Sequence, residues 1–184
     1  MSSIIKFLYS FLTDGAILLL YAAPIYIFLR GLYIKGSSDN KLNYRIKPDR
    51  EIIMFGFFAF LVMLYAQTFI FNSGANQIRL IPFQVIIEQI SEMKLTRLTY
   101  REFVFNIIGN VGIFVPIGIF VPVLFKKDIF GTALTGAFIS LCIETGQIPI
   151  DRTTDIDDII LNTSGAVIGY GIYYFLSREK PAGE

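Results

Sequence analysis

Apolar stretches long enough to cross a bilayer, separated by short polar segments, constrain this chain more than anything else in it. A hydrocarbon core takes roughly 20 mostly apolar residues of helix. Five stretches fit that length: about 15–34, 52–71, 103–125, 129–150 and 159–176. Backbone N–H and C=O groups find no water at membrane depth, so each stretch is expected to satisfy them internally as a helix. Composition agrees, since 54% of residues are hydrophobic and 17% charged, against about 25% charged in soluble domains. The expected fold is an all-α, polytopic membrane bundle formed as a single domain over 1–184.

Composition also excludes. The chain has no His, so zinc and haem sites that need imidazole are ruled out, as are His-dependent hydrolase triads. A net charge of +1 carries no signature of nucleic-acid binding. The single Cys142 cannot form an internal disulfide and is expected to act as a small buried hydrophobe.

In chain order, residues 1–12 resemble a retained interfacial lead-in to the first span, because the apolar run continues with no clear cleavage site. The polar segment 35–51 carries Lys35, Lys41, Arg45, Lys47 and Arg50. Segment 72–102 opens on the turn-like Asn72-Ser-Gly-Ala-Asn76. It then places Phe83, Ile86, Ile87, Ile90 and Met93 at helical spacing, with Gln84, Glu88, Ser91 and Glu92 between them. That pattern predicts an amphipathic helix lying flat on the membrane surface. Lys126, Lys127, Arg178 and Lys180 add to the positive charge of segment 35–51 when loops are placed alternately. Basic loops mark the cytoplasmic side, so the bias predicts the N-terminus outside and the C-terminus inside.

Charge and amide are concentrated at one place, Asp151-Arg-Thr-Thr-Asp-Ile-Asp-Asp158 and its surroundings. An ionisable group inside or beside a span is costly, so it is a functional candidate by default. Helical rise sets Asn106 and Asn110 in the outer part of the third span. Glu144 and Gln147, three residues apart, share a face at the end of the fourth. Asn162 and Thr163 lie in the first turn of the fifth. Three spans therefore bring polar groups to one depth, whereas the inner halves read as nearly all apolar. Structural roles compete with functional ones. Asp157 and Asp158 could complement the N-terminus of the fifth helix. Asn106 and Asn110 could bond helix to helix. Gly109, Gly112, Gly118, Gly165 and Gly169 are expected at packing contacts. Glu144 is expected to pair with Arg152, Arg79 or another basic group.

These same residues resemble a known family. Ser140-Leu-Cys-Ile-Glu-Thr-Gly-Gln147, Arg152, Asp155-Ile-Asp-Asp158 and Asn162-Thr-Ser-Gly-Ala166 are similar to the signature of the VanZ-like membrane proteins. Asn106-Ile-Ile-Gly-Asn110 with Phe114-Val-Pro-Ile-Gly118, and Arg79-Leu-Ile-Pro-Phe83, resemble its other motifs, so the likeness covers about 52–176. It implies a bacterial plasma-membrane protein with a role in teicoplanin-type glycopeptide resistance or a related envelope function. The implied site is Arg79, Asn106, Asn110, Glu144, Gln147, Arg152, Asp155, Asp157, Asp158 and Asn162.

Three functions compete. An outward pocket could bind the headgroup of a membrane lipid, or a lipid-linked cell-wall precursor or glycopeptide, with Arg79 and Arg152 on phosphate or carboxylate. A membrane-surface enzyme could use Glu144 with Asp155 or Asp157 as acid and base. For that enzyme, Asp155, Asp157 and Asp158 could hold a divalent cation. A transporter needs a continuous polar path, which the apolar inner halves do not offer. Binding without catalysis or a required cofactor is the favoured expectation.

Overall fold

The computed structural model describes residues 3–39, 47–66, 68, 78–92, 97–148 and 154–178. They form six helices: α1 (Ser3–Asp39), α2 (Pro48–Tyr65), α3 (Gln84–Glu92), α4 (Arg97–Phe125), α5 (Ile129–Gln147) and α6 (Ile156–Arg178). Two-residue strands β1 (Ile78–Arg79) and β2 (Thr154–Asp155) pair in parallel, Ile78 opposite Thr154 and Arg79 opposite Asp155. The expected all-α class holds. Among the described residues, four helical segments are long and apolar enough to cross a membrane: Phe11–Gly36, Asn106–Phe125, Ile129–Gln147 and Ile156–Arg178. Of the stretch expected as the second span, the part within α2 is helical, and α2 opens on Asp49, Arg50 and Glu51. The lead-in and the first span are one helix, because α1 runs unbroken through both.

The chain divides into two compact units, residues 1–72 and 73–184. In the first, α1 and α2 pack antiparallel, because contacts ascend one helix as they descend the other. Phe11 meets Phe60, Tyr26 stacks on Phe58 with centroids 4.6 Å apart, and Arg30 reaches Glu51. Arg30 Nε and Nη2 donate to the two Glu51 oxygens at 2.8 and 2.7 Å. This forked geometry is the strong form of a carboxylate pair.

In the second unit, α4 and α6 run parallel and α5 runs antiparallel to α6. Small residues set the approach of these helices. A Cβ on Gly165 would stand 3.0 Å from Phe114 Cβ, one on Gly169 would stand 2.8 Å from Gly118 Cα, and one on Gly136 would stand 2.6 Å from Ala166 Cβ. The expectation for Gly118, Gly165 and Gly169 is met. Among the described residues it is not met at Gly109 and Gly112, which have nothing there within 4 Å of a Cβ position. Phe114, Ile117, Val121 and Leu124 fill the core behind the crossing.

The turn into α5 is short. Lys126 takes a left-handed φ of 57°, its N–H donates to Pro122 O, and Asp128 Oδ1 accepts from Gly131 N–H at 2.8 Å to cap α5. Large apolar side chains face outward on the candidate spans, among them Leu20, Phe28, Phe130, Phe138 and Phe175. In water such continuous apolar surface would drive aggregation, whereas in lipid it is matched by its surroundings. Cys142 belongs to this outer surface. It is exposed, not buried as its residue type suggests, because it lies off the α5 face that packs on α6.

Two glycine substitutions test the crossing. Gly169→Val should lower the thermal midpoint of the detergent-solubilised protein by several degrees, since overpacking costs about 1–3 kcal/mol or more. Gly171→Ala meets nothing within 4 Å and should be neutral or stabilising by up to about 1 kcal/mol.

Candidate functional site

The polar site forms where the segments entering α3 and α6 meet the end of α5. The β1–β2 pairing holds these two entries side by side. Asp155 begins α6. Its Oδ1 accepts the Asp157 N–H at 2.9 Å, which is the geometry of an N-cap. Asp155 thus caps α6, while Asp157 and Asp158 are acids of its first turn.

Asp157 turns the other way and caps a different helix. Its carboxylate accepts the N–H groups of Phe83, of Val85 at 3.2 Å and of Ile86 at 3.4 Å. These are donors that the first turn of α3 cannot satisfy within itself. Phe83 holds a left-handed φ of 64°, uncommon for a bulky residue. Its N–H bond to Asp157 offsets part of that strain. Asp157 is 2% exposed, so the three amides stand in for the water it has lost.

α3 carries the amphipathic pattern expected of it. Val85 is buried against the protein, while Phe83, Ile87 and Ile90 are exposed on its other side. Glu88 accepts from Gln84 Nε2 at 2.9 Å and pairs with Arg79 at 3.6 Å. Arg79 is therefore half-buried at the edge of the site, opposite Asp155 in the strand register.

Glu144 and Gln147 are both buried on one face of α5, as their spacing predicts. Glu144 Oε2 accepts the Asp155 N–H at 3.0 Å, and its backbone carbonyl accepts from Thr154 Oγ1 at 3.2 Å. That backbone amide, at the start of α6, also supplies positive potential. Arg152, one of the basic partners expected for Glu144, lies outside the described residues. Asn110 Nδ2 donates to Asp158 Oδ1 and, at 3.3 Å, to Asn106 Oδ1, so Asn110 joins α4 to α6. Asn162 Nδ2 donates to Ser140 Oγ at 2.9 Å, joining α6 to α5.

The structure therefore brings Glu144, Asp155, Asp157 and Arg79 around the β1–β2 pairing. Asn110 with Asp158, and Asn162 with Ser140, form separate links along the helices. Arg152 lies outside the described residues. The three aspartates proposed for a divalent cation diverge. Each is directed at a different partner, and no group of three or more His, Cys, Asp or Glu residues is placed to hold a metal ion among the described residues. The residue reading missed Ser140, Thr154 and Thr132, all buried. A signal existed, because Thr132, Gly136, Ser140 and Glu144 repeat every fourth residue and so line one helical face.

Burial pushes the Asp155 carboxyl above the ordinary aspartate range. The nearby Asp157 and Glu88 charges add to that rise, while the Asp157 N–H and the Arg79 guanidinium oppose it. The fold and site define a helical membrane protein whose buried acids and amides tie three spans and a surface helix together. The chain belongs to the VanZ/LLP1 family, whose model matches residues 52–177. No curated protein and no solved structure matches it.

Two outcomes follow from these bonds. Asp157→Ala should cost about 1–3 kcal/mol by leaving buried amides unsatisfied, and deuterium uptake should rise selectively over residues 83–86. Asp155→Asn keeps an N-capping oxygen but cannot ionise. A raised folded pKa means that this group's stabilisation is complete below the unfolded pKa and is lost as pH rises through the folded value. Melting curves from about pH 4 to about pH 7 should show that loss in the native protein and not in Asp155→Asn.

Proposed function

We propose that the protein is a bacterial plasma-membrane component that binds the polar headgroup of an envelope lipid or lipid-linked precursor, and that it contributes in this way to teicoplanin-type glycopeptide resistance. The site opens on the outer face, with the N-terminus outside and the C-terminus inside. One observation carries this reading. Arg79 stands half-exposed beside the buried acids, at the edge of the site. A guanidinium in that place can meet a phosphate in the forked geometry that suits phosphates and carboxylates alike. The exposed Phe83, Ile87 and Ile90 next to it suit the acyl region that would carry such a headgroup.

Binding is favoured over catalysis by how the acids are used. Asp157 spends its oxygens on three backbone amides, and Asp155 caps a helix. A general acid or base needs an oxygen directed at substrate.

Resistance measured in a glycopeptide-susceptible bacterium tests the proposal. Arg79→Ala should lower the teicoplanin inhibitory concentration to that of the host without the protein, at unchanged membrane level. Undiminished resistance in that variant would sink the headgroup reading.

A further inference from the structure

Positive charge collects at the end of the second unit remote from the buried acids. Lys126 and Lys127 lie in the turn from α4 to α5, and Arg178 ends α6. A Cβ on Gly118 would stand 2.8 Å from Tyr170 N, so those two positions are level. Lys126 and Arg178 are each eight residues further on, in parallel helices of equal rise. The α4–α5 turn and the end of α6 therefore reach the same depth. Packing persists to that end, since Val121, Pro122 and Leu124 are buried. Packed helix axes lie about 8–10 Å apart, close to the Debye length of physiological salt, so the three cations share one field. All three are exposed, and none forms an ion pair among the described residues. Asp128, next in the chain after Lys127, has an oxygen committed to the Gly131 N–H.

The setting of Arg178 adds shape to that charge. Its guanidinium lies over the Tyr174 ring, 4.6 Å from the centroid, and Tyr174 stacks on Tyr170 at 15°. Tyr174 is one turn earlier, so the Arg178 side chain turns back along α6 toward the bilayer and not out into water. Tyrosine rings favour the headgroup level, where one end is apolar and the other wet. A guanidinium stacked there by its face keeps its edge of N–H donors, which fits two phosphate oxygens at once. Toward the middle of α6, exposed Ile168, Ile172 and Phe175 offer an apolar surface to acyl chains.

We propose that this end of the unit holds an anionic phospholipid of the adjoining leaflet, its phosphate on Arg178 over Tyr174, with Lys126 and Lys127 supplying positive field. A zwitterionic lipid has the same phosphate but carries its own cation, so it gains less from that field. The surface shares no residue with the Arg79 site and does not rest on the headgroup reading.

Native mass spectrometry of the full chain in neutral detergent tests this, with phosphatidylglycerol or phosphatidylcholine of identical acyl chains added in steps. The first phosphatidylglycerol should bind about tenfold tighter than the first phosphatidylcholine, or more, since each basic residue near an anionic surface contributes about fivefold. A triple variant, Lys126→Asn with Lys127→Gln and Arg178→Gln, should reduce that preference to about threefold or less. Asn is used at position 126 because it tolerates the left-handed backbone there. Arg178→Lys keeps the charge but not the stacked fork, and should lose part of the preference. Arg79→Ala should keep all of it. Glycerol 3-phosphate, which has the phosphate without acyl chains, should not compete. All three substituted positions are exposed, and an unchanged thermal midpoint checks that the variants fold. Equal affinity for the two lipids would overturn the proposal, as would a preference that survives the triple variant. Full preference in Arg178→Lys would overturn the assignment of the phosphate to that guanidinium. Loss in Arg79→Ala alone would move the lipid to the other end of the unit, and competition by glycerol 3-phosphate would replace it with a free anion.

Discussion

The carboxylate of Asp157 reaches from the first turn of α6 to the free amides at the start of α3, and the rest of the site is arranged around that reach. A charge 2% exposed is stable only if dipoles replace its hydration. Three backbone N–H groups do so here. In return, the short helix α3 gains an N-terminus it could not complete alone, as a nine-residue helix is marginal by itself. The left-handed Phe83 backbone belongs to the same arrangement, because it directs one of those amides at the acid. β1 and β2 then follow, since both lead into the helices that Asp157 joins.

Around this link, the second unit combines two kinds of contact that a bilayer makes necessary. Lipid gives no hydrophobic drive for helices to associate, so close approach and hydrogen bonds must supply it. Gly118, Gly165 and Gly169 bring the α4 and α6 backbones together. Asn110 with Asp158, and Asn162 with Ser140, add side-chain bonds on either side of α6. α6 is accordingly the central element of the unit, parallel to α4 and antiparallel to α5. Its outward face keeps Ile168, Ile172 and Phe175 for lipid.

A site built this way is mostly self-satisfied. Asp155 and Asp157 serve backbone groups, and Glu144 accepts from the residue that starts α6. Arg79 sits half-exposed at the edge of the site beside Glu88, and the Asn162 carbonyl sits in the interior with no donor among the described residues.

Sequence alone determined the helices and the polar residues, because both depend on short-range quantities. Apolar length dictates a helix wherever backbone groups lose water. Carboxylates and amides are conspicuous in such runs, so Glu144, Asp157 and Asn162 could be singled out by residue type. The amphipathic face of α3 and the small pair Gly165 and Gly169 were readable from helical spacing. Tertiary structure alone decided the partners. Asp157 seemed placed to cap its own helix, yet it caps one more than 70 residues earlier. Asp155, Asp157 and Asp158 read as a cluster, yet they diverge, because successive positions on a turn of helix face different neighbours. Gly109 and Gly112 read like Gly118, yet only the last meets another backbone. A chain of residues states what each side chain can bond with. Which group actually stands within reach depends on how α4, α5 and α6 cross, and that is set by contacts between residues far apart in sequence.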